Sequence, residues 1–439
     1  MRRIRLGLLI VAAMMVMTAL PSGYAGAADV PTDRPLTLEE CIETALGTHP
    51  KVKIAEQDAL AAKYNTRQAI SAFWPQATFN ASRDYVSSSR VARIGGQTVN
   101  TTARYISNNF AFNTNWTIFD FGRTYYSVRS LAEIEDSLLK NLTAAQQGVA
   151  YDVMDAYFGL LKSQSLVKVA EETVAANESH MKQAQAFFEV GVKPRFDVTQ
   201  AEVNLNDAKV LLITAQDAVK SARASLNTKL GTDPMAPTMV QERPDLEEMK
   251  GTANDYMQDA LKNRPEVQSL EARVRSTEMS AKAAFSNYLP DVSVGATQNW
   301  YKEDHTDALS NEDLQLAVSV PIFDGFKTCS QVSSAKATVL STKYQLEDLK
   351  LGIQLAVSQA FLAVEDAKAR MGYLDSSVKA AKENLDIAQG RYEAGVGAII
   401  EVTDAQVSLT KAETDRTQAV YDYHQAYTTL LRNIGQGVK

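Results

Sequence analysis

Glu401 and Asp404 stand three residues apart in a stretch with helical spacing, so both carboxylates belong to one helix face. Repeated around an axis by several chains, such a pair makes an acidic ring. Rings of that kind favour cations and can hold a divalent ion in the path. Little else in the chain has residue types and spacing suited to chemistry. His49, His180, His305 and His424 are scattered, with no metal-ligand spacing, and no Gly-rich phosphate loop is present. Cys41 and Cys329 fall in different parts of the chain and are expected to be free. No Ser/His/Asp or Cys/His arrangement is visible, so neither catalysis nor a cofactor or metal is expected. The formal charge of −7 makes the chain a poor nucleic-acid binder and suits a conduit for cations.

The elements that would position such a ring are written twice. Ala45-Leu46, His49-Pro50 and Val52 recur 215 residues later as Ala260-Leu261, Arg264-Pro265 and Val267, and Pro75 recurs as Pro290. Beyond that point the shift is 204: Ile118-Phe119-Asp120 recurs as Ile322-Phe323-Asp324, Gly191 as Gly395, Val198-Thr199 as Val402-Thr403, and Gly231 as Gly435. The first copy therefore holds 11 extra residues between Pro75 and Phe119, and polar sequence such as Ser87-Ser88-Ser89 and Gly95-Gly96 suggests an exposed loop there. The first copy spans 28–231 and the second 252–439, with a Pro-rich linker at 232–251.

Each copy reads as a short helix, two strands, a very long helix, a tip and a medium helix. The long helices are expected at 122–190 and 326–394, and the medium ones at 193–231 and 397–434. Their apolar seams run in 3-4 spacing, through Val149, Val153 and Leu160 in the first copy and Ile353, Val357 and Val364 in the second. A helix of 67 residues is roughly 100 Å long, far more than a globular domain is wide. It needs partners along its whole length. The helices Lys51–Phe73 and Lys193–Leu230, stacked end to end, would nearly match it, as would Glu266–Tyr288 with Gly397–Ile434. A wall of antiparallel helices follows, with an elongated coiled-coil envelope scaffold as the alternative.

Between short and long helices the pattern changes to period two. Phe110, Phe112, Trp116 and Ile118 alternate with asparagine and threonine, and Leu314, Leu316, Val318 and Val320 share the equivalent face. Strands are expected at about 76–86, 107–119, 291–302 and 312–323, long enough to cross a bilayer when tilted. Trp74, Trp116 and Trp300 fall in or beside them, as an aromatic girdle would. Residues 1–27 read as a signal peptide: Arg2, Arg3 and Arg5, an apolar run from Leu6 to Leu20, then Ala25-Gly26-Ala27. Its removal takes the charge to −10. No later stretch is apolar enough for a spanning helix, so a membrane location requires β-barrel strands. Four strands cannot close a pore alone, whereas three chains supply twelve strands and twelve helical columns.

This order of parts resembles the outer-membrane efflux protein family, the TolC type, over nearly the whole mature chain. The likeness rests on the duplication and on the strand starts at Pro75 and Pro290. It rests also on Phe119-Asp120-Phe121-Gly122 and Phe323-Asp324-Gly325, and on the tips Phe188-Glu189-Val190-Gly191 and Arg391-Tyr392-Glu393-Ala394-Gly395. The resemblance implies a mainly α chain with a small β part, forming a homotrimer with a twelve-stranded barrel continuous with a long periplasmic helical barrel. It implies an exit duct of tripartite efflux or type I secretion in the outer membrane of a Gram-negative bacterium, surrounded by outer-membrane lipid. A periplasmic adaptor and an inner-membrane RND or ABC pump would be its partners. Gly191, Val192, Gly395 and Val396 would meet the adaptor, and Asp197, Tyr392, Glu401 and Asp404 would line the entrance constriction. One departure stands out. The family's best-known member has an Arg two residues after the second-tip Gly, tied to the Asp that matches Asp197, whereas this chain has Gly397. Lys193 and Arg195 are expected to pair with Asp197, Glu401 or Asp404 instead.

Overall fold

The computed structural model describes residues 34–94, 97–242, 249, 251–303 and 307–436. The signal segment expected at 1–27, and His305, lie outside them. The first copy comprises α1 (Leu38–Thr48), α2 (Pro50–Ile70), β1 (Gln76–Ile94), β2 (Gln97–Phe119), α3 (Arg123–Glu189) and α4 (Arg195–Leu230). The second repeats the order as α5 (Ala253–Asn263), α6 (Pro265–Ser286), β3 (Asp291–Glu303), β4 (Leu309–Ser319), α7 (Lys327–Glu393) and α8 (Ile399–Ile434). The chain is thus mainly helical with one antiparallel four-stranded sheet in the order β1-β2-β3-β4.

Both long helices have 67 residues. Each lies against two shorter helices in succession: α3 against α4 and α2, α7 against α8 and α6. The shorter helices meet end on. Thr48 Oγ1 lies 2.5 Å from the Leu230 carbonyl oxygen, and Gly231, at φ +74, sits against the backbone of His49, which caps α2. In the second copy Gly435, at φ +68, sits against Arg264, which caps α6. Both junctions need the left-handed turn that glycine adopts without strain. At Gly435 they also need the missing side chain, because a Cβ there would lie 2.9 Å from the Arg264 Cα. Gly435→Ala should therefore cost about 1–3 kcal/mol, read as a lower unfolding temperature. Gly191→Ala carries the same φ penalty but has open space around it, and should cost less.

Buried residues follow the expected seams. Val149, Val153, Tyr157, Leu160 and Leu161 join Leu226, Leu230, Leu36 and Val240 in one core, and Ile353, Val357, Ala360 and Val364 join Val267, Tyr423 and Leu430 in another. The linker contributes to the first core. Leu36 bridges Val240, and the Tyr157 hydroxyl donates to the Gln241 carbonyl at 2.5 Å. Cys41 is buried and free, and desolvation pushes its thiol up to about 12. Nearer the sheet, apolar seam residues give way to hydroxyls. Ser130 bonds Ser276 and Ser280 at 2.9 and 2.8 Å, and Ser137 bonds Ser269 at 2.9 Å, between α3 and α6. Small side chains let these helices approach closely while their hydroxyls satisfy one another.

Sheet and long helix are joined by the same elbow in both copies. Asp120 accepts from the Thr124 amide and Asp324 from the Thr328 amide, both at 2.8 Å. Two consecutive left-handed residues follow each Asp: Phe121 and Gly122 in the first, Gly325 and Phe326 in the second. Glycine occupies a different one of the two places in each copy.

The strands depart from expectation at both hairpins. β1 and β2 do not end at 86 and 107. Their register continues unbroken from Gln76↔Asn115 to Ile94↔Gln97, so the insertion lengthens a ribbon, with Ser87, Ser88 and Ser89 inside it. β-Branched residues such as Thr101 and Thr102 favour extended pairing, and no proline interrupts the ladder between Gln76 and Phe119. β4 stops at Ser319 because Pro321, two residues on, has no amide hydrogen for a ladder.

Candidate functional site: the helical tips

The α3–α4 and α7–α8 turns close in the same way. The Val192 amide donates to the Phe187 carbonyl at 2.9 Å, the Val396 amide to the Arg391 carbonyl at 3.1 Å, and Gly191 and Gly395 supply positive φ between them. The turns expose apolar residues, Val190, Val192 and Phe196 in the first and Val396 and Ile400 in the second, beside the exposed charges of Glu189, Arg195, Arg391 and Glu393. Val190 belongs to the tip motif read from the sequence, whereas Phe196 escaped that reading.

Asp197 lies in the first turn of α4, where the positive helix end favours a carboxylate, and is 6% exposed. Its Oδ2 accepts a hydrogen bond from the Tyr392 hydroxyl at 3.0 Å. Tyr392 is fully buried beside Phe187, their ring centroids 5.7 Å apart. Burial, together with the Asp197 carboxylate beside it, pushes the phenol's pKa up, so it remains a donor throughout the ordinary pH range. Lys193 completes the group. Its Nζ lies 4.7 Å from the centre of the Tyr392 ring and donates to the Gly397 carbonyl at 3.0 Å.

Two polar links continue the join between the hairpins. The Gln183 amide donates to Glu393 at 3.1 Å, and Asn204 donates to Thr403 at 2.9 Å. The α3–α4 hairpin is thereby fastened to α7–α8 by neutral and charge-assisted hydrogen bonds around one buried tyrosine.

Gly397 has a steric reason. A Cβ there would lie 2.9 Å from the Tyr392 nitrogen and 3.0 Å from Arg391 atoms, so the turn admits no side chain. The cation comes instead from Arg391, whose Nε lies 3.2 Å from Glu401 Oε2. Lys193 and Arg195 were expected to hold these carboxylates. Lys193 reaches a carbonyl, and Arg195 has no ion pair among the described residues. Arg391 was legible as part of the tip motif, but its role depends on the turn bringing α7 back against the start of α8. Asp404 is exposed and unpaired among the described residues.

At the other end, Trp74, Trp116 and Trp300 are all exposed. Trp116 donates its indole hydrogen to the Phe73 carbonyl at 2.9 Å, beside the helical end of the sheet. Trp300 faces Phe110, further towards the hairpin end. The sheet's apolar face, including Phe79, Phe112, Leu314, Leu316 and Val318, is exposed in the single chain. No helix among the described residues is long and apolar enough to cross a membrane.

Residues 41–232 and 256–436 match the model of a family described as outer membrane efflux protein. The chain is 24% identical to outer membrane efflux protein BepC of Brucella suis, over 85% of this chain and 79% of that protein. It is 25% identical to protein CyaE of Bordetella pertussis, over 86% of this chain and 79% of that protein. Among solved structures, the outer-membrane channel OprN superimposes with a TM-score of 0.79 at 18% identity, covering 95% of this chain and 98% of that one. CusC, whose structures describe folding and transmembrane channel formation, superimposes with a TM-score of 0.80 at 17% identity, covering 91% of this chain and 92% of that one.

Proposed function

The chain belongs to the outer membrane efflux protein family, and from that premise we propose that three copies close into one duct whose tips receive a periplasmic adaptor and an inner-membrane RND or ABC pump. The family is one of transport channels, and the chain is an outer-membrane channel, the exit duct of tripartite efflux or type I secretion. The observation that carries the trimer is an unfinished surface. Four strands leave two open edges, and the rods carry exposed apolar residues far from any membrane: Val203, Val210 and Ile213 on α4, Leu351, Leu355 and Leu362 on α7. Exposed apolar area on that scale marks an interface, and twelve tilted strands are enough to enclose a pore.

In the closed duct, Glu401 and Asp404 would set the charge of the entrance, and the Tyr392–Asp197–Lys193 group would hold the two hairpins of each chain together. The exposed apolar tips, including Val192 and Val396 beside Gly191 and Gly395, would meet the adaptor. Protein extracted from membranes should sediment as a trimer and conduct in planar bilayers. A monomer without conductance would overturn the reading in favour of a coiled-coil scaffold.

A further inference from the structure

The β1–β2 ribbon carries an arrangement that conduction does not use. In an antiparallel sheet, directly opposed residues point to the same face and alternate residues share it. The register therefore places Ala77, Phe79, Phe110, Phe112, Trp116, Val292, Val294, Trp300, Leu314, Leu316 and Val318 on one face, which is the lipid face of a barrel. Towards the hairpin end, beyond Phe110 and Trp300, that face changes character. Arg83 opposes Asn108, and Asn108 opposes Lys302. Further along the ribbon Arg104 opposes Ser87. Arg83, Arg104, Lys302 and Tyr85 are all exposed, and none of the three cations has an ion pair among the described residues.

The same face of the four strands holds one carboxylate among the described residues, Glu312, which opposes Gln298 on the edge strand. Asp84, Asp291, Glu303 and Asp313 alternate onto the other face. In a chain of net charge −7, this is a cationic band on the one surface that faces lipid. From the strand spacing and rise, Arg83 and Lys302 stand about 10 Å apart and Arg104 about 13 Å further along. The band lies just past the aromatic positions, at the depth of lipid headgroups.

We propose that Arg83, Arg104 and Lys302 bind the phosphates of anionic lipid in the outer leaflet, fixing the barrel's depth. Charge complementarity at headgroup depth points to this partner. Arginine pairs with phosphate through two parallel hydrogen bonds, and Tyr85 lies on the same face between Arg83 and Ser87. The longer first-copy ribbon is what carries Arg104 past the end of β3, where, among the described residues, only β1 pairs with β2. This inference rests on the sheet being the spanning part of an outer-membrane barrel.

The test uses the purified trimer in neutral detergent and titrates it with diphosphorylated lipid A or its dephosphorylated form, read by native mass spectrometry. The phosphorylated lipid should bind more tightly, and added salt should weaken it. R83Q/R104Q/K302Q should lose on the order of a hundredfold in affinity while keeping its conductance. Should that triple variant fail to trimerise, each single variant should lose several-fold. Equal binding by wild type and variant, equal binding of the dephosphorylated lipid, or displacement by inorganic phosphate alone would overturn the lipid assignment. A wild-type chain that neither trimerises nor conducts would instead overturn the channel reading.

Discussion

Asp197→Ala should leave the channel leaking. Its carboxylate is 6% exposed and accepts from the fully buried Tyr392 hydroxyl, so the substitution strands a donor in the core between the two hairpins. A buried hydrogen bond to a charged group is worth about 1.5–3 kcal/mol. In the proposed trimer, where widening the mouth would require the hairpins to separate, losing one such bond in each of three chains would shift the balance towards a wider opening. Two kcal/mol is roughly thirtyfold in an equilibrium constant. Single-channel conductance should rise, and cells carrying the variant should become sensitive to large antibiotics they otherwise exclude. Asp197→Asn keeps an acceptor oxygen and should leak less. Tyr392→Phe leaves the carboxylate buried without its donor and should leak comparably to alanine. Unchanged conductance in all three would show that this bond does not hold the mouth.

Neutralising Glu401 and Asp404 together should do more than abolish cation preference. Arg391 lies 3.2 Å from Glu401 and remains after the substitution. Three unpaired guanidinium groups would then face the entrance, and selectivity should turn towards anions. Fields focused in such a mouth change local ion concentrations by about tenfold or more, so a reversal-potential measurement under a salt gradient has ample range. Asp404→Asn alone removes the unpaired carboxylate and should relieve block by divalent cations. Glu401→Gln alone frees Arg391 and should mainly lower cation preference. A double variant as cation-selective as the parent would remove these residues from the conduction path.

The large features of the fold were legible because duplication doubles every weak signal. A glycine 40 residues after another means little, but Gly191 and Gly231 matching Gly395 and Gly435 mark the ends of equivalent helices, and all four adopt positive φ. The seam through Val149, Val153 and Leu160 was legible because large apolar residues at 3-4 spacing have few other uses. The serine contacts between α3 and α6 were not, since Ser130, Ser137 and Ser276 read as solvated polar residues until two helices are brought together. At the tips, the glycines and carboxylates announced themselves by type. Tyr392's partner and Gly397's crowding depend on how two reversals nest, which no local pattern encodes. The ribbon was hidden for another reason: serine and glycine clusters signal a loop on average, and a continuous ladder overrode that preference.

The end-on junctions at Gly231 and Gly435 give the rods a mixed mechanical character. α3 and α7 run unbroken from sheet to tip, whereas their companions are spliced partway at a close-fitting glycine turn, joined in the first copy by the Thr48 hydroxyl and in both by packing rather than by a continuous backbone helix. Twisting at the tips is therefore carried to the strands by α3 and α7 alone, and the splices are where the rest of the wall can yield.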